Sequence, residues 1–485
     1  MAATSIKNSL TVKVVSSILN FCVAVTVGIL VPRAVGPKDF GELMYVIATV
    51  DFLLLLGAAQ SHPAYIYFQS NGEFSPRRIN GTYFTVLGGV AVCVLLLVTF
   101  TAQLSFFQDI LWNGVSTKEI LYMGAGISVM TFWQNKLLAY ADCHRLTLSS
   151  ETARFVSRLF LLVAIVALFL IQKLSTINYS VLWIVSLVLF FVFYFRYVEF
   201  EFVSFSWRRS LTILRQMWRY LKPLMAFSMI AALYSYAGKY LLQQQAGSVE
   251  QGYYNFAFSF AMIPVTFLAS IMTIYMSEMT KLFTSGQPEL VRELFLRNLL
   301  KVFALHALIT FFLCAFAPEV VLQLSGAKFL GAVPALRALT IFSLLHTFGI
   351  LSGNLYLSSG RNKSYSMINC IFMISGLIVF ALVYAHGHFN ATNLAIMMAV
   401  FYGLRVSVQL YFNAIQLDFS FSLLVVKILG LVFLIGGGAW LLREFNLNLI
   451  LSAFIYVVTF IVSSVIANDV YGVLKVFLYL KKLVG

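Results

Sequence analysis

Apolar stretches of about twenty residues follow one another from one end of the chain to the other, parted by short polar connections, and this is the length that crosses a hydrocarbon core of about 30 Å as a helix. The pattern predicts membrane-spanning helices at 14–32, 42–60, 82–102, 120–141, 155–172, 179–198, 223–242, 254–275, 301–322, 335–357, 365–385, 392–413, 422–441 and 447–467. Strands of a membrane barrel would be roughly 10 residues long and would alternate apolar with polar, which these stretches do not. The predicted fold class is therefore all-α, a polytopic membrane protein with about fourteen transmembrane helices.

Composition agrees. Of 485 residues, 61% are hydrophobic and 11% charged, with a mean hydropathy of +0.90; a soluble domain carries about 25% charged residues. The net charge of +15 invites a nucleic-acid reading, but basic and aromatic residues do not interleave on any polar domain, so nucleic acid is not an expected partner. Instead the Lys and Arg gather at one side of the spans. With the N-terminus inside, 24 of the 33 lie on or nearest the cytoplasmic side, including Arg208, Arg209, Arg215, Arg219 and Lys222 between spans six and seven. Nine fall on the other side. The positive-inside rule then puts both termini in the cytoplasm. Cys22, Cys93, Cys143, Cys314 and Cys370 are scattered without a CxxC pair, so they read as packing or lipid-facing thiols rather than disulfides or metal ligands. The first apolar run lacks a small-residue cleavage pattern and leads directly into another span, so no cleavable signal peptide is expected.

The longest internal connections, 199–222 and 276–300, are amphipathic and too short for a catalytic domain. No P-loop occurs, and no HExxH, GxSxG or paired-aspartate motif. Accordingly no catalytic or metal-ligating residue is assigned, no cofactor is expected, and the chain is not expected to be an enzyme. One internal repeat does occur. Gly36, Asp39 and Gly41 stand between spans one and two, and Gly247, Glu250 and Gly252 stand at the same spacing between spans seven and eight. The offset of 211 residues corresponds to six spans, as in parallel repeats about an axis along the membrane normal. Glycine permits a tight turn, and an acid suits the positive end of the helix that follows. The resulting organisation is an N-terminal six-helix lobe at 1–222, a C-terminal six-helix lobe at 223–413, and two further helices with a cytoplasmic tail at 414–485.

Polar groups inside the spans are the candidate chemistry. Ser16 and Asn20 share a face of the first span, and Asp51 sits in the middle of the second. Trp133, Lys136 and Tyr140 line one side of the fourth, with Asn135 beside them. In the seventh, Tyr236, Lys239 and Gln243 follow at helical spacing, flanked by Tyr240 and Gln244. Asn255 opens the eighth span and Pro264 interrupts it; Arg337, His346 and Asn354 belong to the tenth and Arg405 to the twelfth. Each has a plainer reading: Arg33, Lys239 and Arg337 can snorkel to the interface, Ser and Asn stripes bond neighbouring helices, and a lone His346 packs. Asp51, Lys136 and Arg405 are the hardest to account for without an internal cavity, because an intramembrane charge is costly. Basic groups facing one cavity would suit an anion such as a pyrophosphate, and Tyr, Gln and Asn would suit sugar hydroxyls; a large apolar-flanked cavity would also suit amphipathic drugs.

Three stretches resemble a known family. LVPRAVGPKDFGELMYVIATVDFLLLLG at 30–57 holds Gly36, Asp39, Phe40 and Gly41. GYYNFAFSFAMIPVTFLASIMTIYMSEMTKLF at 252–283 holds Tyr253 and Pro264. The third runs through APEVVLQLSGAKFLGAVPALRALT at 317–340 to LYLSSGRNKSYSMIN at 355–369, with Pro318, Gly326, Phe329, Gly360, Arg361 and Lys363. These resemble the polysaccharide and O-antigen flippases (Wzx-like, of the polysaccharide transporter branch) of the multidrug/oligosaccharidyl-lipid/polysaccharide exporter superfamily. The resemblance implies two six-helix bundles in a V followed by two extra helices, in a bacterial or archaeal cytoplasmic membrane. It implies movement of an undecaprenyl-diphosphate-linked oligosaccharide between leaflets by proton or sodium coupling, as an antiporter, in polysaccharide or lipopolysaccharide biosynthesis. A glycan polymerase and a chain-length regulator would be its neighbours, and membrane lipids its surroundings. The family's cationic cavity residues vary, so the substrate-cavity candidates are this chain's own: Lys136, Lys239, Arg405, Tyr236, Gln243 and Asn20. Asp51 is the candidate for ion coupling, and Gly36, Asp39, Gly41, Gly247, Glu250, Gly252 and Pro264 are candidates for gating or structure. Other readings are a lipid II or teichuronic-type precursor flippase, a secondary exporter of small amphipathic compounds, a membrane scaffold for glycan assembly, and a membrane glycosyltransferase or polymerase, for which no large extracytoplasmic loop offers a site.

Overall fold

In the computed structural model, residues 22–58, 61–71, 74–144, 146–198, 207–445 and 449–466 are described. Seventeen α-helices and one short 3-10 helix account for nearly all of them, and no strand occurs among the described residues. In chain order these are α1 (Cys22–Val35), then α2 (Pro37–Ala58), α3 (His62–Asn71), α4 (Pro76–Thr101), α5 (Ser105–Leu111), α6 (Lys118–Cys143), α7 (Thr147–Leu170), α8 (Thr176–Tyr197) and α9 (Trp207–Ala261). There follow α10 (Ile263–Thr284), α11 (Pro288–Ala315), α12 (Ala317–Ser325), the 3-10 turn Ala327–Ala332, α13 (Val333–Ser358), α14 (Asn362–Ala385), α15 (Ala391–Leu417), α16 (Phe421–Glu444) and α17 (Leu449–Ile466).

The predicted spans fall on these helices, with spans seven and eight sharing α9 and α10 and span nine crossing from α11 into α12. Among the described residues nine helices are long and apolar enough to cross a membrane by length and composition alone. The shortfall has a local cause in α6 and α9, whose apolar runs are interrupted by Gln134, Asn135 and Lys136 and by Tyr236, Lys239 and Gln243. These are the helices that carry candidate chemistry. The span predicted at 14–32 begins outside the described residues.

Helix ends follow their sequences. Gly36, at φ +90°, turns the chain out of α1, and Pro37 opens α2 with Asp39 in its first turn. Thr117, Ser175 and Ser420 cap α6, α8 and α16, their hydroxyls accepting from the amides of Ile120, Asn178 and Leu423. In lipid there is no hydrophobic drive between helices, so small residues and polar side chains hold them together. Gly124 of α6 lets Val46 of α2 come so close that a methyl group at 124 would lie 2.6 Å from the valine side chain. Ser186 of α8 donates to the Ser157 carbonyl of α7 at 2.8 Å, and Asn413 of α15 donates to the Ser352 hydroxyl of α13 at 2.7 Å.

Two compact units result, one of residues 1–255 with 373–390 and the other of 256–372 with 391–485. The first keeps α9 through Asn255. Its apolar packing centres on Tyr65, Tyr83, Phe84, Tyr140, Phe190 and Tyr194, and on a second cluster around Val46, Val50, Leu54, Val98 and Trp112. The second unit packs around Phe295, Phe303, Phe348, Leu351, Leu355 and Leu410.

Candidate functional site

Within the first unit, α2 and α9 bring the candidate charges Asp51 and Lys239 of two separate sequence regions to one wall, beside Ser128 of α6. Asp51, fifteen residues into the membrane-spanning α2, is exposed. Its carboxylate faces the Ser128 hydroxyl of α6 and interacts electrostatically with the half-buried Lys239 of α9. One turn from Lys239, Tyr236 stacks on Phe52 with ring centroids 4.3 Å apart and donates to the Thr49 hydroxyl at 3.3 Å. Tyr240 continues the aromatic face, 5.9 Å from the Tyr236 ring. Lys136 is half-buried, its ammonium 5.0 Å from the centre of the Phe132 ring. It stands eight residues beyond Ser128, about 12 Å further along α6. The other members of its predicted stripe turn elsewhere. Trp133 stacks on Phe84 and Tyr140 is buried in the same apolar cluster, while Asn135 is exposed. Asn20 and Ser16 lie outside the described residues.

One end of this unit is closed by a polar clasp. Of the three consecutive glutamines of α9, Gln243 and Gln244 hold the segment at 110–113 and Gln245 holds the one at 384–389. Gln243, buried, donates its amide to the Asn113 carbonyl at 2.8 Å and to the Ser248 hydroxyl at 2.9 Å. Gln244 accepts from the Asn113 side chain at 3.1 Å and donates to the Ile110 carbonyl at 2.6 Å. Gln245 donates to the Tyr384 carbonyl at 3.0 Å and accepts from the Phe389 amide at 2.6 Å. The Ser248 hydroxyl donates to the Gly114 carbonyl, and Tyr45 of α2 donates to the Leu111 carbonyl at 2.8 Å. Glu42, fully buried, accepts from both the amide and the hydroxyl of Ser116, at 2.9 Å and 2.6 Å.

The repeated glycines lie at the centre of this clasp and touch each other reciprocally. Gly36 and Gly247 both adopt positive φ, +90° and +76°, and Gly247 breaks α9 there. A methyl group at Gly41 would lie 1.8 Å from the Ser248 carbonyl oxygen, and one at Gly252 would lie 2.0 Å from the Pro37 carbonyl oxygen. Shifted by the repeat offset, Pro37 corresponds to Ser248 and Gly41 to Gly252, so each copy applies its glycine to the same point of the other. This is the contact pattern of a two-fold axis. Of the repeat's acids, Asp39 is exposed and accepts from the Thr176 hydroxyl at 3.4 Å, and Glu250 is half-buried.

The remaining candidates belong to the second unit. Pro264 lies in the first turn of α10, where α9 ends, and its missing amide falls at that junction. Arg405, 7% exposed, lays its guanidinium over the Tyr402 ring at 3.6 Å, and Tyr402 stacks in turn on His346. Arg337 donates from Nε to the Cys314 carbonyl at 3.0 Å. The sequence pattern did not single out His306, which is fully buried between Thr347 at 2.7 Å and Ser343 at 3.1 Å. Nor did it single out Glu42, Ser116 or Gln245. Glu42 was discoverable in principle, as an acid directly after the repeat glycine; the other three carry no local signal. Among the described residues no cluster of three or more His, Cys, Asp or Glu could hold a metal ion.

No curated protein matches the sequence, but solved structures share the fold. Lipid II flippase MurJ in an inward closed conformation superimposes with a TM-score of 0.72 at 12% identity, covering 95% of this chain and 99% of that one. An inward-facing multidrug resistance MATE family transporter gives 0.55 at 13% identity over 82% and 94%. A MOP superfamily transporter from Pyrococcus furiosus gives 0.52 at 12% over 86% and 97%. At such identities the likeness is one of fold, and it is that of a polytopic all-α membrane protein. The family model for polysaccharide biosynthesis proteins matches residues 6–278, more than half of the 485, and over this stretch it takes in the charged wall and both halves of the glycine clasp: the chain belongs to the polysaccharide biosynthesis protein family.

Proposed function

We propose that this protein is a flippase that carries an undecaprenyl-diphosphate-linked oligosaccharide repeat unit across the cytoplasmic membrane by alternating access, coupled to a proton or sodium gradient. The observation that carries the reading is the wall of α2, α6 and α9, where Asp51 and Lys239 stand among hydroxyls and aromatic rings, with Lys136 further along α6. Charges at that depth are costly and are kept for a task. In this reading the two lysines attract the diphosphate and Tyr236 offers a hydroxyl to the sugars; Arg405 on α15, within the second unit, is a further cationic candidate. Asn20, outside the described residues, is a sugar-contact candidate from the sequence alone. The polyprenyl tail stays in lipid, and no bond is made or broken. Asp51 is the coupling group: an ion can drive the switch only by binding one state better than the other, and its charge interaction with Lys239 supplies such a difference. Gln243 acts through the clasp, which closes one end of the path while Gly36, Gly41, Gly247 and Gly252 let the repeated turns meet. Pro264 marks a bend point at the start of α10. The lobes run 1–222 and 223–413, with 414–485 appended, and both termini are cytoplasmic.

A second reading, a secondary exporter of small amphipathic compounds, draws on the MATE transporters that share the fold; the lipid II flippase fold favours a lipid-linked cargo instead. The test is leaflet exchange of a fluorescent undecaprenyl-diphosphate oligosaccharide in proteoliposomes under an imposed proton or sodium gradient. The flippase reading expects gradient-driven exchange that falls about tenfold or more in Lys136→Gln/Lys239→Gln/Arg405→Gln, since each lost charge pair contributes on the order of 1 kcal/mol or more. Asp51→Asn should retain slow exchange but lose its response to the gradient. Absence of exchange with every lipid-linked glycan, beside uptake of small amphipathic cations, would establish the exporter reading.

A further inference from the structure

Away from the charged wall, the first unit holds a cavity of about 400 Å³. It lies where α2 ends at Gly57 and Ala58, two turns into α4 at Tyr83, Val86 and Leu87, and along the opening turns of α9. Positions at the end of one spanning helix and the start of the next put it at the membrane interface. Leu211, Leu214, Trp218 and Leu221 recur at three- and four-residue spacing, so one face of α9 forms a wall. That face is not closed over: Leu211 is 46% and Trp218 55% exposed. In a chain that spans the bilayer, apolar surface left open at this depth meets lipid.

Arg215, exposed, is the charged residue of the lining. It belongs to a strongly basic segment, since Arg208, Arg209, Arg219 and Lys222 share its stretch and the first acid of α9 is Glu250. A basic amphipathic helix start lying in the interface attracts anionic lipid. A guanidinium beside an apolar trough matches a phosphate joined to an acyl chain, because its planar fork pairs with phosphate oxygens in a bidentate manner. The trough suits such a chain better than a glycan. It offers hydroxyls only at Ser61 and Tyr83, which adjoin each other, and its volume is near the low end of the roughly 300–1,000 Å³ common for small-molecule sites.

We propose that this cavity is a binding site for an anionic phospholipid of the adjoining leaflet, with one acyl chain between α2, α4 and α9 and its phosphate on Arg215. The proposal does not depend on what the protein carries. Its occupant ties the basic start of α9 to the ends of α2 and α4.

The full-length protein, released from nanodiscs of mixed phosphatidylglycerol and phosphatidylcholine, is read by native mass spectrometry for retained lipid. Wild type should retain phosphatidylglycerol in preference to phosphatidylcholine. Arg215→Gln should lower that retention about fivefold, the effect of removing one basic residue near an anionic surface, while Arg215→Lys keeps most of it. Val86→Trp narrows the trough without touching the charge and should also lower retention. Equal retention of the two lipids, or no change in Arg215→Gln, overturns the proposal. So does displacement of phosphatidylglycerol by a polyprenyl phosphate at equal concentration, which would give the trough to the transported lipid's own tail.

Discussion

At the residue scale, the contact between the repeated turns rests on two missing side chains. Gly41 and Gly252 bring backbone against backbone at distances that no Cβ tolerates, 1.8 Å and 2.0 Å to the facing carbonyl oxygens. Alanine at either position must push the two turns apart, and overpacking of this kind costs about 1–3 kcal/mol. Because each glycine is applied to the other copy's turn, the first substitution opens the gap that the second would need. Thermal unfolding in detergent micelles should therefore find Gly41→Ala/Gly252→Ala less destabilised than the sum of the single variants, by about 0.5–3 kcal/mol. Strict additivity would mean that the two approaches are independent contacts rather than one clasp. Asp51 makes the complementary point about charge. It stands exposed at a depth where lipid is the default surrounding, and Lys239 within its reach comes from a helix far away in sequence.

At the element scale, α9 does three jobs along its 55 residues. Its start is basic and interfacial, its middle presents Tyr236, Lys239 and Tyr240 to the charged wall, and its glutamines close the clasp before Gly247 breaks the helix. The glutamines are neighbours, so they point about 100° apart; Gln243 and Gln244 share the segment at 110–113, and Gln245 reaches Tyr384 and Phe389. They are not equivalent. Gln243 is buried, and its loss leaves the Asn113 carbonyl and the Ser248 hydroxyl short of a donor; Gln244 makes its bonds at the exposed edge. Gln243→Ala should cost about 1–3 kcal/mol of stability, the penalty for stranding buried polar groups. Gln244→Ala should stay within about 0.5 kcal/mol, as for an exposed site. Denaturant midpoints of the two variants measure the difference, and equal losses would assign the clasp to backbone packing instead. In the second unit the same polar glue recurs: Ser352 of α13 with Asn413 of α15, and Asn369 of α14 with Gln409 of α15 at 3.3 Å.

At the scale of the whole molecule, we propose the orientation in the membrane from charge placement. The end of the first unit that bears Lys222 is rich in Lys and Arg, and the end that bears Asn113 and the clasp is poor in them. In right-side-out vesicles a membrane-impermeant thiol reagent should label Asn113→Cys and leave Lys222→Cys unlabelled, in a background without the native cysteines. The opposite pattern would invert the molecule, put the clasp on the cytoplasmic side, and reverse the direction of transport proposed. The lipid site at the start of α9 would invert with it.

Much of this architecture was legible before any coordinates. Apolar length is a local property, and a twenty-residue apolar run in lipid has no option but to satisfy its backbone as a helix. So the spans, the all-α class and the basic bias of one side could be read directly from residue order. The glycine repeat could be read too, since Gly36, Asp39 and Gly41 recur at fixed spacing. Asp51, Lys136 and Lys239 stood out because a charge among apolar residues is conspicuous in a line of text. What residue order does not carry is which helices become neighbours. That Asp51 and Lys239 would meet, that Trp133 and Tyr140 would turn into the apolar core while Lys136 did not, and that Gln243 would be spent on Asn113 and Ser248 depended on tertiary packing. The two copies of the glycine motif were visible as a repeat, but only the folded chain set each against the other. Proximity between distant segments is fixed by the packing of whole helices, where a residue's own neighbours in sequence have little say.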